Sequence, residues 1–213
     1  GLRVLDLSWV LAGPFATRIL SDLGADVIKV EPPEGDMTRN IGKKIAGISG
    51  YYTQQNVGKR AICVDLLKVE GQELIKRLVA EADVVTENYR PGVMEEMGID
   101  WDTLHAINPR LVMMSISGFG QVGPERERAS YAPIIHAETG ILQRHAMVTG
   151  MDRPMDIALS VADTTTGMHG LIGLLAALHH AQRTGEGQHV DMAMINAMFF
   201  TDDYVHLAVH GLE

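Results

Sequence analysis

Asp163 is the residue whose surroundings in the sequence most strongly suggest chemistry. It follows a short apolar run, precedes three threonines and a glycine, and stands before an apolar stretch, residues 168–179, that predicts a helix. Two interpretations are open. The carboxylate is either an N-cap that accepts a hydrogen bond from the first helical turn, or a nucleophile that the same N–H groups and the helix dipole hold ionised. The local pattern alone favours the cap, because caps are much commoner than nucleophiles.

The composition indicates an ordinary globular protein. The 213 residues are enough for one sizeable core, with 46% hydrophobic and 21% charged residues. The formal net charge of −9 and the lack of a basic stripe argue against a nucleic-acid partner. An anionic ligand would therefore need a local cationic pocket.

Cysteine and histidine usage favours neither a disulfide nor a metal site. Cys63 is the single cysteine, and its apolar, strand-like run predicts a buried, unreactive thiol. The histidines are not spaced with cysteines or paired carboxylates as metal ligands are, so we expect no metal. A signal-peptide pattern and a long uncharged apolar run are both missing, so we expect a cytoplasmic protein without a membrane partner.

The alternation of strand and helix patterns predicts an α/β fold with a parallel sheet. Residues 2–7, 14–23 and 26–31 form a strand, a helix and a second strand, which together make the βαβ unit of a dinucleotide-fold-like sheet. The remaining predicted strands are 59–66, 83–87, 111–117 and 189–194, and the remaining predicted helices are 70–82, 93–97, 101–107, 168–179 and 195–210.

Two other stretches have no regular pattern. Residues 32–58 are rich in glycine and polar side chains and predict a long loop, and residues 143–154 predict a second irregular segment. The sequence contains no internal repeat, low-complexity tract or linker. We therefore expect one domain.

Two predicted loops lie at the carboxyl ends of strands, where open parallel sheets bind ligands. Residues 9–14 follow the first strand and lack the GxGxxG pattern, so they do not predict a nicotinamide site. Residues 88–92 follow a later strand and contain Arg90. Its planar guanidinium suits phosphate oxygens, although a surface arginine before a Pro-Gly turn is an equally good interpretation.

Six separate motifs stand in the order and at the spacing of one known family. They are the opening residues 1–31, ENYRPG at 87–92, INPRL at 107–111, SISGFG at 115–120, ADTTTG at 162–167 and RTGEGQHVD at 183–191. Each is weak alone, but together they cover essentially the whole chain. They resemble the class III CoA-transferases, the group that contains formyl-CoA transferase, carnitine CoA-transferase and α-methylacyl-CoA racemase. The resemblance implies that residues 1–213 are the N-terminal part of the parallel-sheet large domain, without its C-terminal half and small domain.

The resemblance also implies a covalent mechanism. Asp163 falls at the family's catalytic aspartate, which attacks the thioester carbonyl of an acyl-CoA and forms an acyl-aspartyl mixed anhydride with release of CoA thiolate. CoA then leaves on a new carboxylic acid, in ping-pong fashion. Such an aspartate must be ionised, unpaired with a strong cation and shielded from water. Tyr131 falls beside the reacting acyl group.

Coenzyme A, carried as acyl-CoA, is the cofactor that the resemblance implies, and a small carboxylic acid is the second substrate. The residues at the family's positions for the CoA nucleotide and pantetheine are Trp9, Val10, Leu11, Ala12, Asn88, Tyr89 and Arg90, and Arg128 matches a basic residue near the acyl group. Leu67 and Glu96 depart from the family pattern, which commonly has lysine and arginine there.

Two alternatives stay open at this point. Racemases of the group use a His–Asp pair as acid and base, whereas this chain has Tyr131 and Ala132, and His136 is expected to pack rather than to act as a base. The second alternative is a truncated, non-catalytic fragment that binds CoA.

The family assembles as an interlocked homodimer whose active sites lie between subunits. The resemblance therefore implies a second copy of the chain as the partner here.

Overall fold

A computed structural model describes residues 1–204, and a six-stranded sheet forms its centre. The strands are β1 (Arg3–Asp6), β2 (Asp26–Glu31), β3 (Lys44–Ile45), β4 (Ile48–Ser49), β5 (Arg60–Cys63), β6 (Val84–Glu87), β7 (Val112–Ser117) and β8 (His189–Ala193). The helices are α1 (Ala12–Asp22), α2 (Gly50–Asn56), α3 (Val69–Val79), α4 (Val93–Glu96), α5 (Trp101–Ile107), α6 (Ala132–Glu138), α7 (Ile141–Thr149), α8 (Val161–Thr184) and α9 (Met194–Thr201).

The order of the strands creates one reversal point in the sheet. The order is β5-β2-β1-β6-β7-β8, and every neighbouring pair is parallel. The chain builds outward from β1 through β2 and β5, then returns to β6 on the other side of β1. The loops after β1 and β6 therefore lie side by side at the carboxyl edge, which is where ligands of open α/β sheets bind.

Helices cover both faces of the sheet. Successive strand residues point to opposite faces, so that Val84 belongs to the apolar cluster under α1 and α8, and Val85 to the cluster under α3 and α5. All six residues of β7 are buried, as expected for a parallel strand covered on both sides. The predicted α/β fold with a parallel sheet is confirmed.

Two glycines allow α8 to pack unusually close to its neighbours. A Cβ atom on Gly167 would lie 2.8 Å from the Ala12 carbonyl oxygen, and one on Gly170 would lie 2.7 Å from the Met114 sulfur. Any larger residue would push the helix away from α1 and β7. The close packing brings the first turn of α8 to the loop after β1.

Some local predictions were wrong. Residues 32–58 contain a 3-10 helix (Met37–Asn40), the β3–β4 hairpin and α2, and most of 143–154 belongs to α7. Cys63 is exposed, because β5 is an edge strand with little packed over it. The last predicted helix, 195–210, is present as α9 but ends earlier than predicted, at Thr201, and the predicted residues after 204 lie outside the described part of the chain.

A buried ion-pair network supports the carboxyl end of β1. Lys59 Nζ lies 2.8 Å from Asp6 Oδ2, and Lys29 Nζ lies 3.0 Å from Asp36 Oδ2, with all four side chains almost fully buried. Burial opposes ionisation of Asp6, but Lys59 and Lys29 outweigh it and lower its pKa to about 2. Asp6 also accepts hydrogen bonds from the Ser8 N–H and the Thr17 hydroxyl. The network thus fixes the start of the loop after β1.

Replacing Asp6 with asparagine should strongly destabilise the fold. Asp6→Asn keeps the shape of the side chain but leaves the buried Lys59 charge uncompensated, which costs on the order of 3–5 kcal/mol. Urea denaturation at pH 7 measures the loss. Asp26→Asn is the matched control, because the Asp26–Arg60 pair is exposed and such pairs contribute about 1 kcal/mol or less. Equal losses in the two variants would contradict the role of the network.

Candidate active site

A cavity of about 440 Å³ opens at the reversal point between β1 and β6. Its walls are the loops after β1, β6 and β7, the segment 128–131, and the first turns of α8 and α9. The sequence-predicted site residues that line it are Trp9, Val10, Ala12, Asn88, Tyr89, Arg90, Arg128, Tyr131 and Asp163. Leu11 does not line it, because its side chain is buried beneath the loop, where the residue is the N-cap of α1.

Asp163 is the third residue of α8 and not its cap. The N-cap is Ser160, whose side chain makes no capping hydrogen bond. The N-cap interpretation of Asp163 is therefore wrong. The carboxylate is free to line the cavity from the first turn of the helix.

Burial dominates the electrostatics of Asp163. Removal from water raises its pKa to about 6, while the backbone N–H groups of Asp163 and Ala12 partly offset this by favouring the ionised form. The sequence-based expectation that N–H groups hold the carboxylate ionised is correct in sign, but burial has the larger effect. Among residues 1–204 no lysine or arginine forms a salt bridge with Asp163. Above pH 7 it is thus a basic, unpaired carboxylate.

The loop after β1 is held in a strained conformation. Val10 has a φ of 66°, a left-handed value that is rare for a β-branched residue and that typically costs about 1–3 kcal/mol. Asn88 holds the loop from the neighbouring strand end, since its Oδ1 accepts from the Trp9 N–H at 2.8 Å and its Nδ2 donates to the Trp9 carbonyl at 2.8 Å. Two residues after Val10, the Ala12 N–H faces Asp163.

Two arginines supply positive charge at the cavity. Arg90 and Arg128 both line it and are exposed. Arg128 contacts the carboxylates of Glu138 and Glu125, and its guanidinium carbon lies 4.9 Å from the centre of the Phe119 ring. The two glutamates offset the charge of Arg128, so Arg90 is the arginine of this cavity without a salt-bridge partner among residues 1–204.

Tyr131 stands across the cavity, at the N-cap of α6, with 62% of its surface exposed. Sequence reasoning missed the nearby wall residues Ser117, Gly118, Ser130 and Met194. Gly118 permits a very close approach, since a Cβ there would lie 2.0 Å from the Ser130 hydroxyl. The SGFG motif at the end of β7 could have indicated that Ser117 and Gly118 line the cavity.

A second cavity of about 310 Å³ adjoins the first. Trp9, Tyr89 and Val93 line both, and the Trp9 and Tyr89 ring centres are 6.2 Å apart. The remaining walls come mainly from segments 29–36 and 64–67. They combine apolar side chains with five charged residues: Lys29, Glu31, Glu34, Asp36 and Asp65. This cavity was not predicted, because its walls come from strands far apart in the sequence.

Comparison with known proteins identifies the family. The family model described as CoA-transferase family III matches residues 1–210. This chain belongs to CoA-transferase family III. The predicted family is thereby confirmed.

Two curated relatives and one solved structure illustrate the family III match. The succinyl-CoA–L-malate CoA-transferase beta subunit of Chloroflexus aurantiacus is 40% identical and is aligned over 95% of this chain and 50% of its own length. The formyl-CoA:oxalate CoA-transferase of Escherichia coli O6:H1 is 40% identical, over 93% of this chain and 48% of its own length. A CAIB/BAIF family protein from Brucella suis is 42% identical, with a TM-score of 0.88, over 100% of this chain and 56% of that one.

The family III chain thus spans about half the length of the curated relatives it matches. Within residues 1–204, His, Cys, Asp and Glu side chains do not form a group of three or more arranged for a metal ion. None of the helices in the described part of the family III chain combines the length and hydropathy that a membrane crossing requires.

The buried charge of Asp163 should cost stability at neutral pH. Between about pH 4 and pH 6 the folded family III chain binds more protons at Asp163 than the unfolded chain, so the stability contributed by this group falls as the pH rises. Asp163→Asn should therefore be more stable than the parent above pH 7, by about 3 kcal/mol, and the difference should vanish below about pH 3. Urea denaturation across this range measures the difference.

Asp22→Asn is the control, because it makes the same substitution at an exposed aspartate outside the cavity. A difference between Asp163→Asn and its parent that stays constant from pH 4 to pH 8 would contradict the elevated pKa.

Proposed function

We propose that the protein moves CoA from an acyl-CoA donor to a carboxylic acid by covalent catalysis through Asp163. One observation carries the proposal: a carboxylate that is largely buried, without a salt-bridge partner among residues 1–204, lies in a cavity large enough for the acyl end of a thioester. Membership of CoA-transferase family III supports the same reaction class.

The proposed reaction begins with attack of an Asp163 carboxylate oxygen on the thioester carbonyl carbon. A C–O bond forms, the C–S bond breaks, and the electron pair leaves on the CoA sulfur. The thiolate then attacks the Asp163 carbonyl carbon and displaces the donor acid as a carboxylate, which leaves an aspartyl-CoA thioester. The acceptor carboxylate repeats the two exchanges in reverse order, so that a new acyl-CoA departs and Asp163 is regenerated without net proton transfer.

The environment of Asp163 suits each step of this proposed reaction. Its pKa of about 6 makes it a stronger nucleophile than an ordinary aspartate while it stays ionised at neutral pH. Partial burial limits the access of water to the anhydride, which would otherwise hydrolyse. The Ala12 N–H can donate to the oxygen that gains charge in each exchange.

The two adjoining cavities suit an elongated ligand. We propose that the acyl group lies beside Asp163 and Tyr131, and that the pantetheine arm passes the shared wall of Trp9 and Tyr89. The nucleotide end then occupies the more apolar second cavity, while Arg90, which lines the first cavity but not the second, would hold phosphate oxygens on that side of the shared wall. Val10, Leu11, Ala12 and Asn88 shape the loop along which the arm runs.

The second substrate is proposed to be a small carboxylic acid. The two curated relatives carry L-malate and oxalate in their names, so dicarboxylic acids come first in a test panel. Arg128, on the rim of the cavity, would hold a carboxylate of donor or acceptor by exchanging its contacts with Glu125 and Glu138.

We further propose the setting in which the site works. Residues 1–213 form the N-terminal part of the large domain of a longer enzyme. That enzyme acts in the cytoplasm as an interlocked homodimer, in which the partner subunit and a C-terminal small domain complete the cover over Asp163.

Covalent trapping on the full-length protein tests the proposed mechanism. After incubation with a panel of acyl-CoAs and quenching with hydroxylamine or borohydride, mass mapping should find modification confined to Asp163. Asp163→Ala should show no adduct and no measurable CoA transfer, with its fold intact by circular dichroism. Turnover by Asp163→Ala would overturn the proposal. Deuterium incorporation at the α-carbon of a 2-methylacyl-CoA, without any adduct, would support the racemase instead.

Tyr131→Phe should slow transfer without unfolding the protein. The side chain is mostly exposed, so the free energy of unfolding should change by about 0.5 kcal/mol or less. Loss of a hydroxyl that contacts the reacting acyl group should lower kcat by about tenfold. Tyr204 is also largely exposed and lies outside both cavities, which makes Tyr204→Phe the control. Equal rates for the two variants would exclude a role for the Tyr131 hydroxyl.

A further inference from the structure

His136 makes a connection between α6 and α8 that the proposed mechanism does not use. The side chain is fully buried at the end of α6. Its Nε2 atom accepts a hydrogen bond from the Ala162 N–H at 3.1 Å, and its Nδ1 atom lies 3.2 Å from Asp156 Oδ1. Both ring nitrogens therefore have partners, one of which belongs to the first turn of α8.

These partners define the tautomer of the ring. A backbone N–H can only donate, so the Nε2 atom that faces Ala162 must carry a lone pair. The proton of the neutral imidazole then resides on Nδ1, where it is donated to the Asp156 carboxylate. His136 is thus an oriented hydrogen-bond acceptor and cannot at the same time serve as a base at Nε2.

The first turn of α8 needs such an acceptor. The initial N–H groups of a helix have no partner within the helix, and a side chain at the N-cap usually accepts from them. Here the Ser160 side chain makes no capping bond, the Val161 N–H turns back to the Leu159 carbonyl, and Ala158 has a left-handed φ of 53°. The Ala162 N–H is satisfied by His136.

We propose that His136 is a positioning residue that caps α8 from α6 and thereby fixes the Asp163 carboxylate opposite the Ala12 N–H. Asp163 is the next residue after Ala162, so a shift of the first turn moves its carboxylate directly. The catalytic consequence rests on the proposed function of Asp163, whereas the capping interaction does not.

Through α6, the hydrogen bond to His136 also connects Asp163 with Tyr131 on the other side of the cavity. Tyr131 is the N-cap of this seven-residue helix, and His136 lies one turn further along it. The hydrogen bond from Ala162 to His136 therefore ties the tyrosine to the aspartate through one short rigid element. Loss of the bond would disturb the distance between the two.

A titration of Asp163 tests the capping role without any substrate. The pKa is read from the pH dependence of the stability difference between each background and its Asp163→Asn variant. His136→Leu removes the acceptor, so the titration midpoint should rise by about one pH unit as the N–H groups lose their alignment. His136→Gln keeps a carbonyl oxygen at the position of Nε2 and should leave the midpoint near its parent value. An unchanged midpoint in His136→Leu would overturn the proposal.

If His136→Leu does not fold, Asp156→Ala replaces it in the titration of Asp163. Asp156 is half exposed, and its removal leaves the ring in place but frees the Nδ1 proton, so the midpoint should rise by a smaller amount in the same direction. A midpoint that stays at the parent value in Asp156→Ala would overturn the proposal in that case.

Kinetics on the full-length protein test the catalytic consequence. His136→Leu should lower kcat by about tenfold to a hundredfold while KM for the acyl-CoA changes by less than about twofold, because the CoA-lining loops lie on other elements. His136→Gln should restore most of kcat. A change in KM without a change in kcat would contradict the positioning role. An equal loss of kcat in His136→Leu and His136→Gln would contradict it as well. If the parent itself transfers no CoA, the proposed function fails and the titration alone decides the capping role.

Discussion

A partly desolvated carboxylate without a cation beside it is the constraint on which the site depends. Desolvation of Asp163 opposes its charge, and only backbone N–H groups favour the ionised form. Those groups act only if α8, the loop after β1 and α6 are held in register. The small residues of α8, the strained Val10 and the buried His136 are all consequences of that requirement.

Asp6, which is fully buried, and Asp163, which is partly buried, show how environment sets chemistry. Asp6 and Asp163 start from the same intrinsic pKa of 3.8, and the fold moves them in opposite directions, to about 2 and about 6. Asp6 lies against two buried lysines and supports the loop, so its charge is permanent and structural. Backbone N–H groups are the only groups that favour the ionised form of Asp163, so its charge has no salt-bridge partner among residues 1–204. The charge of Asp6 is compensated inside the fold, whereas the ionised form of Asp163 costs the fold stability because its pKa is raised.

The sequence predicted most of the scaffold and much of the cavity wall. Strand and helix periodicity is a local property, so the order of the main elements and the parallel sheet followed from it, as did the two loops at the carboxyl edge. The sequence analysis missed short elements in segments rich in glycine. One of them is α2, whose start the N-cap residue Ser49 could have indicated. Exposure of Cys63 was mispredicted, because an apolar strand does not reveal whether it lies in the centre or at the edge of a sheet.

The sequence by itself determined the α/β class, the family and the presence of an aspartate at the start of a long apolar helix. Each of these depends on residue types at fixed spacings along the chain. Only the tertiary structure decided that Ser160 rather than Asp163 begins α8, that His136 caps it from 26 residues away, and that Ala12 faces the carboxylate. These features arise from contacts between distant segments, and the desolvation that sets the pKa of Asp163 is a property of everything packed around it.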